Sequence, residues 1–195
     1  YKRQIMDNSF RFNALELNLD GEVAMPGDDV KMDLKFSTPS TSFGSVLSMI
    51  PAAYTKDFSD VKTKGSFKLS GYAKGTYNDK GSIPAFAIDL GVKDGEFKYP
   101  DLPLPVEDVN TQIAVKSTSS DFDKMTVDVS QFHIKVGKNP FDAMLKLRTP
   151  ISDPDIDTKI DGVIDLGELA KAFPMEGVKE LAGVITANLE AKTKM

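Results

Sequence analysis

The 195-residue chain contains no cysteine, no tryptophan and a single histidine. Without cysteine there is no disulfide, no thiolate nucleophile and no Cys-ligated metal, and cytoplasm and periplasm both stay open as compartments. A His-based metal cluster or catalytic triad would have to be built around His133 alone. Phe132 and Ile134 flank it in the opposite strand phase, so His133 reads as an exposed strand histidine. No G-x-S-x-G, G-x-G-x-x-G or P-loop occurs, which removes local support for hydrolase, dinucleotide and nucleotide readings. No stretch approaches the roughly eighteen uninterrupted apolar residues of a membrane-crossing helix. Positive charge is also short: 24 Lys plus Arg stand against 29 Asp plus Glu, for a formal charge of −5. Binding a phosphate backbone needs concentrated positive charge to displace counterions, so nucleic acid is set aside as a partner.

What the chain does have is enough apolar residue, 41%, to bury a core and fold as one domain spanning 1–195. The dominant signal is period-two alternation, the mark of strands with one buried face. Leu15, Leu17, Leu19, Val23 and Met25 share one phase, so Asp20-Gly21 reads as a kink inside a long strand and Pro26-Gly27-Asp28-Asp29 as the turn. Val30, Met32, Leu34 and Phe36 form the return strand. Phe67, Leu69, Gly71 and Ala73 mark another strand, closed by the hairpin turn Asn78-Asp79-Lys80-Gly81. Phe86, Ile88, Leu90 and Val92 alternate until the phase flips to Phe97 and Tyr99, which a bulge at Asp94-Gly95 explains. Pro100, Pro103 and Pro105 cannot donate ladder bonds, so 100–108 reads as an extended crossing. Further strands are expected around 109–115, 125–136, 141–147, 156–166 and 183–191, mostly joined by short turns that favour antiparallel neighbours.

Helical spacing occurs twice. Phe43, Val46, Leu47 and Ile50 stand at i, i+3, i+4 and i+7 before Pro51; Leu166, Leu169, Ala170 and Phe173 repeat this before Pro174. Asp165 with Glu168 three residues later has the form of a capping box. The strand, helix, strand units 30–78 and 157–194 therefore read as an internal duplication, a feature of elongated repeat architectures.

Those two helices could shield about four strands of nine or ten, at roughly 10 Å per helix and 4.8 Å per strand. The expected fold is mainly β: a long curved antiparallel sheet with two short helices, elongated, groove-like or sandwich-like. An uncovered apolar sheet far exceeds what soluble monomers tolerate. On pattern alone, closure into a filled sandwich or barrel is the simpler solution. The other solution is a trough whose apolar lining meets acyl chains, at about 0.8 kcal/mol per buried CH₂.

Catalytic and metal patterns are weak. Ser59-Asp60-Val61-Lys62 matches S-x-x-K but has no companion motif. Asp153, Asp155, Asp157, Asp161 and Asp165 resemble a calcium loop, yet Thr158 stands where that loop needs glycine. Asp121 and Asp123 sit at a turn and read as surface. No catalytic residue, metal site or cofactor is expected, and an enzyme is the poorest reading.

Several stretches carry a family resemblance: LSMIPAAYTKDF (47–58), GSFKLSGYAKGTY through IPAFAIDLGVKDGEFKYPDLPLPVEDV (65–109), GKNPFDAMLKLRTPISDPDID (137–157) and KIDGVIDLGELAKAFP (159–174). In this order they resemble the C-terminal region of AsmA-like proteins, particularly the putative outer membrane assembly proteins of Bacteroidetes. The resemblance implies a role in outer-membrane biogenesis and a periplasmic β-rich body held at the inner membrane by a helix outside these residues. The opening Tyr1-Lys2-Arg3-Gln4-Ile5 fits such an excised piece. Related TamB-like proteins imply movement of phospholipid along an apolar groove, and no catalytic motif. Lining positions taken from the strand phases are Phe67, Leu69, Phe86, Ile88, Leu90, Ile113, Val115 and Leu145. The alternative is a closed structural or protein-interaction module that docks onto other envelope proteins, with these residues as plain core.

Overall fold

Apolar β-branched, aromatic and Leu side chains alternating with Lys, Asp and Ser favour a pleated backbone, which sends the two kinds of side chain to opposite sides. In the computed structural model, residues 2–12, 14–39, 41–47, 61–100, 102–173 and 180–194 are described. They form β1 (Lys2–Phe12), β2 (Leu15–Ala24), β3 (Val30–Ser37), β4 (Thr41–Ser42), α1 (Phe43–Leu47), β5 (Lys62–Tyr77), β6 (Ala85–Lys98) and β7 (Val106–Ser117). After these come β8 (Thr126–Val136), β9 (Asn139–Arg148), β10 (Asp155–Asp165), α2 (Leu166–Ala172) and β11 (Val184–Lys194). All the strands belong to one antiparallel sheet, in the order β1-β2-β3-β5-β6-β7-β8-β9-β10-β11, with β4 beside β5. The fold is mainly β with two short helices, as the alternation predicts.

Among the described residues eleven strands form where nine or ten are expected. The additional ones are the two-residue β4 and β1, whose pairing with β2 slips between Ile5 and Asn8 and so breaks the alternation that would reveal it. The larger correction concerns closure. Among the described residues β1 pairs only with β2 and β11 only with β10, so the sheet is open and neither a sandwich nor a barrel forms. Each strand on the path pairs with the one laid down just before it, and a second layer would need a connection that leaves the sheet.

Bulges fall on successive neighbours. Register slips occur between Lys64 and Ser66, Val92 and Gly95, Glu107 and Asn110, and Val129 and Phe132. Each adds local bend and twist. Gly65 has φ +92°, and a Cβ there would lie 2.4 Å from the Asp94 carbonyl oxygen, so only glycine lets β5 approach the bulge of β6 this closely. The bulge expected at Asp94-Gly95 is present, with Asp94 at φ 51°.

The helices lie over one end of the sheet, α1 against β5 and β6, α2 against β8 and β10. Beneath them Phe43, Phe97, Val106, Val109 and Ala172 form the buried cluster. Phe97 is its hub, with ring centroids 6.2 Å from Phe43, 5.6 Å from Phe173 and 6.0 Å from Tyr99. The proline-rich segment crosses outside the sheet through 102–105, shorter than the expected 100–108 because Val106 pairs with Phe97 and Val136 and starts β7, and it is pinned where the Leu104 amide donates to the Lys171 carbonyl at 3.2 Å. Asp165 caps α2 by accepting from the Gly167 and Glu168 amides at 2.9 and 3.0 Å. The Glu168 carboxylate does not return to Asp165, as a capping box requires; it accepts from Asn139 Nδ2 at 2.6 Å. Ile50, Pro51 and Pro174, the expected helix ends, lie outside the described residues. Units 30–78 and 157–194 each contain a strand, a helix and an adjacent antiparallel strand.

The opposite end has no α-helix among the described residues, and side-chain bonds tie its loops together. Asn78 Nδ2 donates to Asp29 Oδ1 at 3.0 Å, and the Ile83 amide to Ser120 Oγ at 2.8 Å. Asp123 accepts from the Ile151 and Ser152 amides at 3.1 and 2.9 Å and from the Ser152 hydroxyl at 2.5 Å. These Ser152 and Ile151 bonds hold the Asp123 carboxyl below its usual value of 3.8. A carboxyl whose folded pKa is depressed contributes stability that is present above that usual value and lost as pH falls through the depressed one. Asp123→Ala is therefore expected to lower the urea midpoint at neutral pH and to flatten its decline on acidification below about pH 4.

One group in the covered region is poorly served. Thr111 is 8% exposed and its hydroxyl has no hydrogen-bond partner among the described residues. Thr111→Val removes that orphan, and the expected result is a gain of about 1 kcal/mol or more in urea denaturation.

Candidate functional site

The pairing registers place all eight sequence-derived positions on one face of the sheet. Leu69, Leu90, Ile113, Val129 and Leu145 pair in turn across five strands, ending on Thr158 of β10. The next row toward the loop end runs Gly71, Ile88, Val115, Val127, Leu147, Ile156. Phe86 follows beyond it, opposite Ala73 and Ser117. Phe67 heads the row nearest the helices, opposite Val92 and Thr41.

Their exposures divide them. Phe67 is 3% exposed and belongs to the covered end. Ile88 is 37% exposed, and Leu69, Phe86, Leu90, Ile113, Val115 and Leu145 are half-buried. No strand packs face to face on another among the substantial contacts of the described residues. The accessible surface is 12303 Å², about a third more than the roughly 9,100 Å² that size scaling gives a compact monomer of this mass. A single sheet layer exposes more surface than a compact shape of the same mass.

Sequence reasoning missed further members of the same face. Val127, Val129 and Leu147 stand on it beside the eight, and Leu19, Leu34 and Phe36 extend it toward β2 and β3. In β8 the signal was legible: Val127 and Val129 are odd, Phe132, Ile134 and Val136 even, and the polar pair Ser130-Gln131 between them marks the bulge.

The other face is charged and self-paired. Lys74 meets Asp33 at 2.6 Å, Lys64 meets Glu96 at 2.7 Å and Lys192 meets Asp157 at 3.3 Å. Hydrogen bonding to Asp33 and Glu96 raises the pKa of Lys74 and Lys64. His133 lies on this face, Nδ1 2.7 Å from Asp142 Oδ1. The acidic run is spread out: Asp155 faces Arg148 at 3.8 Å, Asp161 accepts from Asn188 at 2.7 Å, and Asp165 caps α2. Ser59 and Asp60 of the S-x-x-K match lie outside the described residues. Asp121 caps a single 3-10 turn at 122–124.

Comparison with known proteins finds no family model, no curated protein and no solved structure that matches the chain.

Proposed function

We propose that this chain is a non-catalytic, AsmA-like periplasmic domain that binds phospholipid through its acyl chains and passes it along the open apolar face. The observation that carries the reading is that face itself, built from at least six adjacent strands with no second sheet over it among the described residues. Water is a poor neighbour for such a surface, and each CH₂ withdrawn onto it is worth about 0.8 kcal/mol. Half-exposed aliphatic side chains offer no strong specific contact, which suits a ligand that must slide, while head groups stay in water at the edge of the face. The resemblance of 47–58, 65–109, 137–157 and 159–174 to AsmA-like proteins supports the envelope setting, with inner-membrane attachment through a segment outside this chain.

A second reading is a module that docks other envelope proteins. The outer sides of β1 and β11 favour it: Phe12 is 54% exposed and Val184 63%, and an unpaired edge is a template for further strands. Native mass spectrometry separates the two. Phospholipid adducts retained by the monomer are expected for the lipid reading. A lipid-free spectrum with no uptake from vesicles overturns it, and protein complexes in that spectrum favour docking.

A further inference from the structure

We propose that a cavity beneath α2 seats the methyl end of one acyl chain, so that lipid rests on the sheet in a defined direction, head group toward the loop end; this rests on the lipid reading above. Four hollows lie on the charged face, among residues such as Asp20, Lys35, Asp89 and Lys159. The fifth differs in kind. It measures about 210 Å³, is walled by Phe132, Ile134, Val136, Phe141 and Ile164, and is roofed by Leu169 of α2. Its lining is almost wholly apolar. Its apolar walls offer water few partners, and the contacts missing from them favour an apolar filler.

Asn139 and Asp165 complete the lining, and the negative charge beside them selects which end of a lipid is seated there. Asp165 spends its carboxylate on the amides of Gly167 and Glu168, and Glu168 accepts from Asn139. Two carboxylates at this position repel a phosphate or carboxylate head group, so the tail enters first. Length fits as well. The hydrocarbon depth of one leaflet is about 15 Å, half the bilayer core, which at about 3.4 Å per strand residue covers four to five residues. A chain with its methyl end against Phe141 therefore runs past Ala143 and reaches Leu145 and Val129, which pair across β8 and β9. Its head then lies over Val127 and Leu147, the next row.

The chain has no tryptophan, so one introduced indole reports without background. The probes are hexadecanoic acids brominated either at the terminal methyl carbon or at the carbon beside the carboxyl. Emission of Phe141→Trp should be quenched by the terminal bromine and little by the other. Val127→Trp should show the reverse. Phe132→Trp, on the same cavity wall, replaces Phe141→Trp if that variant does not fold. Equal or inverted quenching overturns the proposed direction. Quenching of Val127→Trp by both probes with none at the cavity overturns the seat and leaves the lipid reading standing. No quenching of either variant by either probe removes the lipid reading itself.

Discussion

Ile88→Asp should strip the protein of lipid while leaving it folded. Ile88 sits mid-sheet, opposite Gly71 and Val115, and is 37% exposed. A carboxylate there is hydrated in the free protein, so folding loses only the partial apolar contact of one side chain, about 1–2 kcal/mol. Under an acyl chain the same carboxylate must shed water with no partner. That costs well over the roughly 1.4 kcal/mol that a factor of ten represents. Phospholipid retained after purification, and uptake from vesicles, should therefore fall at least about tenfold. Lys116→Asp is the control: Lys116 pairs opposite Ala87 on the charged face, and lipid binding should not change. A cooperative thermal transition with unchanged circular dichroism certifies the fold. If Ile88→Asp unfolds the protein, Ile88 is core and the open-face reading fails.

Phe97→Ala is expected to be the most damaging single truncation, costing about 3–5 kcal/mol. Phe97 is 8% exposed and joins Phe43 of α1, Phe173 after α2 and Tyr99 at the start of the proline-rich crossing. Among the described residues this cluster joins the two helices, and its members Val106 and Ala172 are 1% exposed. Against a total stability of about 5–15 kcal/mol, the loss removes a fifth or more. Urea denaturation followed by far-ultraviolet circular dichroism reads it. Leu147→Ala on the open face should cost far less, because a half-exposed side chain leaves no sealed cavity when truncated. Equal losses at Phe97 and Leu147 would mean that the face is covered after all.

Much of the fold was legible in the residues. Leu15 to Met25, Val30 to Phe36 and Phe86 to Val92 announce their strands by alternation, and the phase flip at Asp94-Gly95 announces its bulge. β1 was not legible, because the slip between Ile5 and Asn8 spoils its period and its pairing with β2 sustains it instead. The bulge at Ser130-Gln131 was present in the phases of β8 but carries no glycine to mark it. Glu168 illustrates a tertiary override: its spacing from Asp165 fits a capping box, and Asn139 on β9 captures it. The cavity under α2 was beyond reach, since Leu169 meets Phe132 and Phe141 only once three strands and a helix are in place.

Which side of the sheet each residue faces was settled by the amino-acid order alone, because successive Cβ atoms in a strand point to opposite faces and neighbours in sequence are all that this requires. How much of the apolar side is covered was decided by the assembled fold. Coverage depends on where α1 and α2 land and on whether β11 ever meets β1, and those are contacts between residues far apart in the chain. Closure needs a strand to leave its sequence neighbour for a distant partner; here the described strands stay in a meander, and the apolar face stays open.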